Sequence, residues 1–313
     1  MPHYLLIGAG FSRNWNGPLS DEITGSLLGD LGDDPEIAAA LRSGPFEDAF
    51  SGFQVPTGSP DAVARARRFQ NAVIELFARL NKTYLRPDFE FTNDIEFSVK
   101  RFLARFDAIF SLNQDLLLEI HYQQTFISQG RWNGVVMPGM RWQPPAGATG
   151  PTDMTMAKWR PSGDLSVPAG FQPYYKLHGS SNWFTDSGEP VLIMGSSKTS
   201  AIGRFQVLQA YQQYFSACLN QPSTRLMVIG YSFLDEHINA IIESGSRNHG
   251  LGTYLVDPRG RDVLRDPKMA QAAIRVKRDI EDMTLIGELR RPLSAVFGGD
   301  IFAHGELMRF FRT

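Results

Sequence analysis

The feature that most constrains the fold of this chain is a series of short apolar runs, separated by segments whose apolar residues have helical spacing. Five of these runs predict buried parallel strands, at residues 4–7, 107–112, 174–177, 225–230 and 253–257. Apolar residues at helical spacing predict helices between them, at residues 61–82, 94–106, 204–219 and 234–243. Because strands alternate with helices, we expect an α/β fold: a Rossmann-like, doubly wound parallel sheet with a helical insertion between the first two core strands.

The segments between the strands differ in composition. A helix is expected to begin near residue 20 with Ser20 as its N-cap, and a helical insert is expected at about residues 30–106. Residues 128–173 are rich in Gly and Pro, which predicts a long irregular excursion with a possible hairpin. From residue 261 onward we expect helix and turn, packed on the same domain or forming an oligomer interface.

Composition excludes several classes of protein. The 313 residues are 42% apolar and 20% charged, so the chain can bury a sizeable core. A net charge of −2 gives no electrostatic reason to expect direct nucleic-acid binding. Cys218 is the only cysteine, which excludes an internal disulfide and a four-cysteine zinc site. No apolar run approaches the ~20 residues of a membrane span, so we expect a cytoplasmic protein.

Glycines and polar residues follow each of the five apolar runs. They are Gly8-Ala9-Gly10, Asn113-Gln114-Asp115, His178-Gly179-Ser180, Gly230-Tyr231-Ser232 and Asp257-Pro258. In doubly wound sheets, ligands bind at the carboxyl ends of the strands, near the point where the strand order reverses. The sequence therefore predicts that these groups converge on one crevice.

Each group taken alone has a second interpretation. Gly8-x-Gly10 lacks the third glycine of a dinucleotide fingerprint because Arg13 stands there, so it fits either a phosphate site or a tight turn. Arg13 fits either a pyrophosphate contact or the solvated surface. Asn113 and Asp115 fit either helix caps or a polar pair aimed at a ribose or a water. His178 fits either a structural histidine or a general base.

Four of the groups, taken in order, resemble a known family. Residues 8–12 (GAGFS), 111–115 (SLNQD), 177–180 (LHGS) and 230–233 (GYSF) are similar to the ordered signature of sirtuin-like proteins over about residues 4–260. Residues 176–183 and 230–239 resemble in particular the sirtuin-like NAD hydrolases of bacterial antiphage defence. The lone Cys218 departs from the zinc-bearing deacylases, so we expect the branch without a zinc module, and no zinc.

The resemblance implies roles for individual residues within an NAD-binding domain of residues 1–260. Asn113 would orient the nicotinamide ribose and the attacking water, Asp115 would fix the nicotinamide end, and His178 would be the base. The pyrophosphate would lie on the first turn, formed by Gly8, Ala9, Gly10, Phe11, Ser12 and Arg13. The other phosphate and adenosine contacts would come from Gly230, Tyr231, Ser232 and Asp257.

The implied reaction is hydrolysis of NAD at the nicotinamide–ribose bond, which gives ADP-ribose and nicotinamide. The resemblance further implies a gated effector, a homo-oligomer and an operon partner such as a DNA-translocase-type ATPase. Three alternatives stay open: a non-catalytic NAD or ADP-ribose sensor, an ADP-ribosyl- or acyl-transferring relative, and an unrelated dinucleotide oxidoreductase. The last would need the missing third glycine.

Overall fold

A computed structural model describes residues 1–53, 58–143, 147, 157–195, 198–265 and 285–312 of the chain. These residues contain strands β1 to β11, with the following bounds: His3–Ile7, Ala108–Ser111, Gly134–Val136, Met140–Gln143, Lys158–Pro161, Phe171–Lys176, Gly179–Phe184, Pro190–Leu192, Arg225–Ile229, Gly252–Val256 and Leu285–Leu289. Within the described ranges, no helix combines the length and the apolar character that a membrane crossing needs.

The central sheet has seven strands in the order β11-β10-β9-β1-β2-β6-β3. Its paired strands are parallel, and β1 lies in register with β2 on one side and β9 on the other. The chain builds outward from β1 through β2 to β6, then returns to β9 and builds the other way. The strand order therefore reverses between β1 and β9, where doubly wound folds bind their ligands. The expected Rossmann-like α/β fold is confirmed.

A second sheet of four strands, ordered β4-β5-β7-β8, corrects the expectation of an irregular excursion at residues 128–173. That segment holds β3, the antiparallel pair β4 and β5, and the start of β6. These strands are three to six residues long. The β4 and β5 side chains are mostly exposed or half-buried, so no apolar run marks them. Residues 144–146 and 148–156 of the excursion lie outside the described residues.

The helices α1 to α11 of the described residues have the following bounds: Ala9–Ser12, Ser20–Leu31, Pro35–Ser43, Phe46–Gly52, Pro60–Thr83, Val99–Leu103, Lys198–Ile202, Gln206–Leu219, Glu236–His249, Leu293–Val296 and Ile301–Met308. The insertion between β1 and β2 is helical, as expected. Helices α2 to α5 pack around an apolar cluster of their own, which also includes Leu192 and Met194 beside β8. They form a helical layer over the small sheet.

Two helix predictions were wrong in detail. The expected helix at residues 94–106 divides at Ser98, into a 3₁₀ turn at Ile95–Phe97 and the short α6. Ser98 is extended there, and its hydroxyl accepts from the Arg101 N–H, so it caps α6 rather than continuing a helix. Ser20 is the first residue of α2 and not its cap. Glu22 instead accepts the N–H of Leu19, and the Ser20 hydroxyl donates to Glu47.

The C-terminal segment adds a strand to the expected helix and turn. β11 pairs in parallel with β10 at the edge of the main sheet. Its sequence, LIGEL, is interrupted by Gly287 and Glu288, so the apolar pattern did not indicate a strand. Beyond it, Phe310 is buried and its ring packs against His3 and Phe106. Residues 285–312 therefore pack against the strands of the main sheet, while the division at residue 260 stays a prediction.

A backbone contact joins the turn after β1 to the turn after β9. The Gly10 N–H donates to the Gly230 carbonyl at 2.9 Å, and the Gly8 N–H donates to the Ile229 carbonyl at 3.0 Å. A Cβ atom at Gly8 would lie 2.6 Å from the Gly230 oxygen, and one at Gly10 would lie 2.7 Å from the Gly230 Cα. Glycine is required at these positions because the two turns touch through backbone alone.

Replacing Gly230 with alanine should destabilise the fold more than replacing Gly250. Both glycines have left-handed φ angles, 63° and 69°, where alanine costs about 1–2 kcal/mol. At Gly230 the new methyl would also overlap the backbone of Gly10 and Phe11, which adds about 1–3 kcal/mol. No described heavy atom lies within 4 Å of the corresponding position at Gly250. Urea titration of both variants measures the difference, and equal losses would contradict the close contact.

Candidate active site

A cleft of about 700 Å³ opens at the carboxyl ends of β1 and β9. The turns after the strands form its floor, and the helical layer contributes Ser20, Glu47 and Phe77 from the opposite side. The C-terminal segment contributes Leu293, whose backbone N–H donates to the Asn14 side chain at 2.9 Å. Three separate parts of the chain therefore enclose one cavity at the point where the strand order reverses.

Most of the candidate site residues line this cleft. They are Gly8, Ala9, Gly10, Arg13, Asn113, Asp115, His178, Gly230, Tyr231, Ser232 and Asp257. The two exceptions among the candidates are Phe11 and Ser12. The Phe11 ring is fully buried against Trp15 in the core. The Ser12 hydroxyl lies behind the cleft wall, where it bonds to two of the other candidates.

Asn113, Ser12 and Asp115 form a chain of hydrogen bonds. The Asn113 amide donates from Nδ2 to the Gly8 carbonyl at 3.1 Å and to Ser12 Oγ at 3.0 Å. Ser12 Oγ in turn donates to Asp115 Oδ2 at 2.8 Å. Since both hydrogens of Nδ2 are used, Oδ1 of Asn113 is the atom left to accept from a ligand. The chain fixes the Asn113 side chain in one orientation.

Asp115 acts as a cap and also faces the cleft, so both interpretations of its sequence position apply. Its Oδ1 accepts the N–H of Leu117 at 3.1 Å, so the residue caps the next turn while its carboxyl group lines the cleft. Burial raises its pKa, although the charge of Lys176 and the hydrogen bond from Ser12 oppose this shift. A carboxyl group held in these surroundings is easier to protonate than an exposed one.

A buried ion pair lies beneath Asp115. Lys176 Nζ donates to Glu119 Oε1 at 2.7 Å, and both side chains are almost fully buried. The same ammonium group donates to the Asp115 carbonyl at 2.5 Å and to Ser180 Oγ at 2.8 Å. Lys176 ends β6, just before His178. Its three hydrogen bonds therefore hold the Asp115 loop and the turn after His178 against each other.

His178 is buried and paired with a second histidine. The Nε2 atoms of His178 and His237 lie 3.0 Å apart. The His178 ring also donates to the Leu112 backbone, and since Nε2 faces His237, that donor is Nδ1. Burial lowers the pKa of His178 to about 3 and also lowers the pKa of His237. Both rings are therefore neutral at pH 7, and the Nε2 lone pair of His178 accepts from His237.

Asp235 and Lys198 form an ion pair next to the two histidines. Burial opposes the ionisation of Asp235, but the nearby His178 and Lys198 outweigh it and hold its pKa below the usual value. The carboxylate also favours protonation of both imidazoles, whereas Lys198 disfavours it. Both members of the pair line the cleft.

The remaining candidates lie in the segments that follow β9 and β10. The buried Tyr231 hydroxyl bonds to Asn239 and to the backbone of Asp235, so it stabilises its own loop. Asp257 accepts from the Arg259 N–H at 2.8 Å and lies at the end of β10. Arg259 and Arg291 line the cleft together with Asp257.

Sequence reasoning gave no role to several residues that surround the candidate catalytic groups: Asn81, Glu119, Lys176, Lys198, Asp235 and His237. The segment 230–239, quoted for its resemblance, contained Asp235 and His237, so that similarity was an available signal. Asn81 and Lys198 belong to elements remote in sequence from the motifs. No spacing rule connects them to the site.

The fold and the cleft define a doubly wound α/β protein with a candidate ligand site where the strand order reverses. Comparison with known families matches a SIR2-like domain to residues 107–278, which is more than half of the chain. The chain therefore belongs to the SIR2-like domain family, whose members bind NAD. The matched range includes Asn113, Asp115 and His178. No curated protein matches the chain. Among the described residues, no group of three or more His, Cys, Asp or Glu residues could hold a metal ion.

Replacing His237 with alanine should raise the pKa of His178. The change removes the donor to Nε2 and admits solvent, and both effects favour the protonated imidazole. NMR titration of labelled imidazole rings should show His178 neutral to about pH 3 in the unaltered protein and titrating at higher pH in the variant. Since an unfolded histidine binds a proton near pH 6.5, acidification from there towards pH 3 should also destabilise the folded protein.

His249 at the exposed end of α9 provides the matched control, as the same substitution on the same helix far from His178. The His249→Ala variant should leave the His178 titration unchanged. If His178 titrates at the same pH in the His237→Ala variant and in the unaltered protein, the histidine pair does not set its protonation.

Replacing Lys176 with methionine should destabilise the fold by about 3–5 kcal/mol, because it leaves Glu119 buried without its partner. The double variant Lys176→Met with Glu119→Leu removes both charges and should recover most of that loss. Thermal and urea unfolding of the single and double variants test the coupling. Additive losses in the double variant would show that the two side chains act independently.

Proposed function

We propose that this protein hydrolyses NAD at the nicotinamide–ribose bond and releases nicotinamide and ADP-ribose. The observation that carries the proposal is the arrangement of Asn113, Asp115 and His178. These side chains line one cleft, which lies where the strand order of the main sheet reverses. The protein belongs to a family whose members bind NAD. Nicotinamide leaves readily because its ring nitrogen is positively charged before cleavage, so the protein has mainly to position the substrate and stabilise developing charge.

The roles that the resemblance implies place the substrate in one orientation in the cleft. The nicotinamide end is proposed to lie at Asn113 and Asp115, next to the Ser12 hydroxyl. The phosphates are proposed to lie at the mouth formed by Ala9, Gly10 and Arg13, and the adenosine end at Asp257. The Gly8 and Gly10 N–H groups already donate to the turn after β9. Their glycines support the phosphate site mainly by bringing the two turns together.

Asn113 and His178 are proposed to have different roles, with Asn113 positioning the reacting groups and His178 acting as the base. Asn113 is held by its amide nitrogen, so its Oδ1 accepts from a ribose hydroxyl or from the attacking water. His178 takes up the proton that the hydroxyl or the water loses. In this structure His178 Nε2 is hydrogen-bonded to His237. During the proposed reaction Nε2 exchanges this partner for the substrate hydroxyl or the water. Water is the acceptor, and the products are ADP-ribose and nicotinamide.

A second candidate is a sensor that binds NAD or ADP-ribose without turnover. One observation favours it: both ring nitrogens of His178 are engaged within the protein. The two candidates share the cleft and differ only in whether nicotinamide is released. An ADP-ribosyl- or acyl-transferring activity has no such observation in its favour.

The biological setting is proposed from the resemblance in the sequence. Uncontrolled NAD hydrolysis depletes the cell, so we propose that the protein is a gated effector of bacterial antiphage defence. Assembly into a homo-oligomer and an operon partner such as a DNA-translocase-type ATPase are the proposed gating devices. These statements rest on analogy with the family.

Replacing Asn113 or His178 with alanine should lower nicotinamide release by about 100-fold or more, since each change removes a group that acts directly on the substrate or water. The measurement is nicotinamide release from NAD by the purified protein, followed by chromatography. Two exposed residues provide matched controls, Asn71→Ala on α5 and His249→Ala on α9, and both should keep full activity.

Binding distinguishes the two candidates. Calorimetry with NAD and the Asn113→Ala variant should show binding without turnover. Full turnover by the folded Asn113→Ala variant would overturn the mechanism. Tight NAD binding by the unaltered protein with no nicotinamide release, alone or in the oligomeric state, would establish the sensor instead.

A further inference from the structure

Two loops carry the proposed catalytic side chains, and the helical layer reaches both of them. The loop after β2 carries Asn113 and Asp115, and the turn after β6 carries His178. Asn81 lies near the end of α5, in the insertion between β1 and β2. Because Asn81 is only 2% exposed, its amide group needs hydrogen-bond partners within the protein.

The Asn81 side chain bonds to the loop after β2 and to the start of β7, the strand that directly follows His178. Its Oδ1 accepts the backbone N–H of Leu116 at 2.9 Å, and its Nδ2 donates to Ser181 Oγ at 3.1 Å. Leu116 directly follows Asp115, and Ser181 is three residues beyond His178. A single amide group therefore connects the loop after β2 to the start of β7, at points close to the proposed catalytic residues on each side.

Other links between the loops come from the loops and strands themselves. The Ser181 N–H donates to the Gln114 carbonyl at 3.0 Å, and Lys176 bonds to the Asp115 carbonyl and to Ser180. Asn81 differs because it belongs to the helical layer. Its neighbours on the same helix, Phe77 and Leu80, line the cleft directly. The Asn81 amide therefore links the position of α5 to the loop after β2 and to the start of β7.

We propose that Asn81 is a positioning residue, which sets the placement of Asn113 relative to His178 and couples the helical layer to the reaction. This inference rests on the proposed hydrolysis of NAD for its effect on turnover. The hydrogen bonds themselves do not depend on that function. Asn81 lies behind the cleft wall, and its effect on turnover is expected to act through the loops that it holds.

The experiment compares three variants. Asn81→Leu has nearly the same size and makes no hydrogen bonds, and we expect kcat to fall by about 10- to 100-fold through misplacement of the loops, with KM changed by less than about threefold. Asn81→Asp keeps both contacts, because its carboxyl group accepts from Leu116 and from the Ser181 hydroxyl, and should recover most of kcat. Asn71→Leu makes the same change on the exposed face of α5 and should have no effect.

Hydrogen exchange provides a readout that does not require activity. In Asn81→Leu, exchange should accelerate at the backbone amides of Leu116 and Ser181 together, and in Asn71→Leu at neither. If the unaltered protein releases no nicotinamide but this paired acceleration occurs, the proposed function fails and the coupling by Asn81 stands. Should Asn81→Leu fail to fold, Ser181→Ala removes one of the two bonds and should lower kcat by a smaller factor.

Two outcomes would overturn the inference. The first is a folded Asn81→Leu variant with kcat within twofold of the unaltered protein in an active preparation. The second is an equal loss of kcat in the Leu and Asp variants, because it would show that the hydrogen bonds of Asn81 are not what positions the loops.

Discussion

The site depends on the contact between two glycine turns. Gly8 and Gly10 after β1 bond to Ile229 and Gly230 after β9, so the two strands at the reversal point of the sheet end against each other through backbone alone. A side chain at any of the three glycines would separate the turns. The same contact presents the Gly8 carbonyl to Asn113, which fixes the amide that faces the cleft. The orientation of Asn113 thus follows from the packing of the two turns.

Buried charge is the second constraint on this end of the molecule. Lys176 with Glu119 is buried beneath the Asp115 loop, and the partly exposed pair of Lys198 and Asp235 lies beside the histidine pair. Buried ion pairs gain little net stability, but they are costly to break, which makes them better suited to hold geometry than to stabilise a fold. Here the buried pair of Lys176 and Glu119 holds the loop that carries Asn113 and Asp115, whereas the pair of Lys198 and Asp235 sets the charge beside His178.

The sequence predicted the five central strands, the helical insertion and the cleft residues that follow strands. Buried strands appear in the sequence as apolar runs, and the tight turns after them appear as glycines. It missed β3, β4, β5, β7, β8 and β11, which are only three to six residues long. It also gave no role to His237, which lies 3.0 Å from His178, or to Asn81, which joins the loop after β2 to the start of β7. Such partners are brought together only by tertiary packing, over 59 and 100 residues of chain. The spacing of residues along the sequence does not indicate such contacts.

The central claim is that the cleft holds NAD with its nicotinamide end at Asn113 and Asp115. A crystal structure of the Asn113→Ala variant with NAD tests it most directly, because the substrate should bind and persist there. The account predicts the nicotinamide end beside Asp115 and the residue 113 position, the diphosphate at the turn of Ala9 and Gly10, and the adenosine towards Asp257. NAD bound in the reverse orientation, or outside this cleft, would contradict the account.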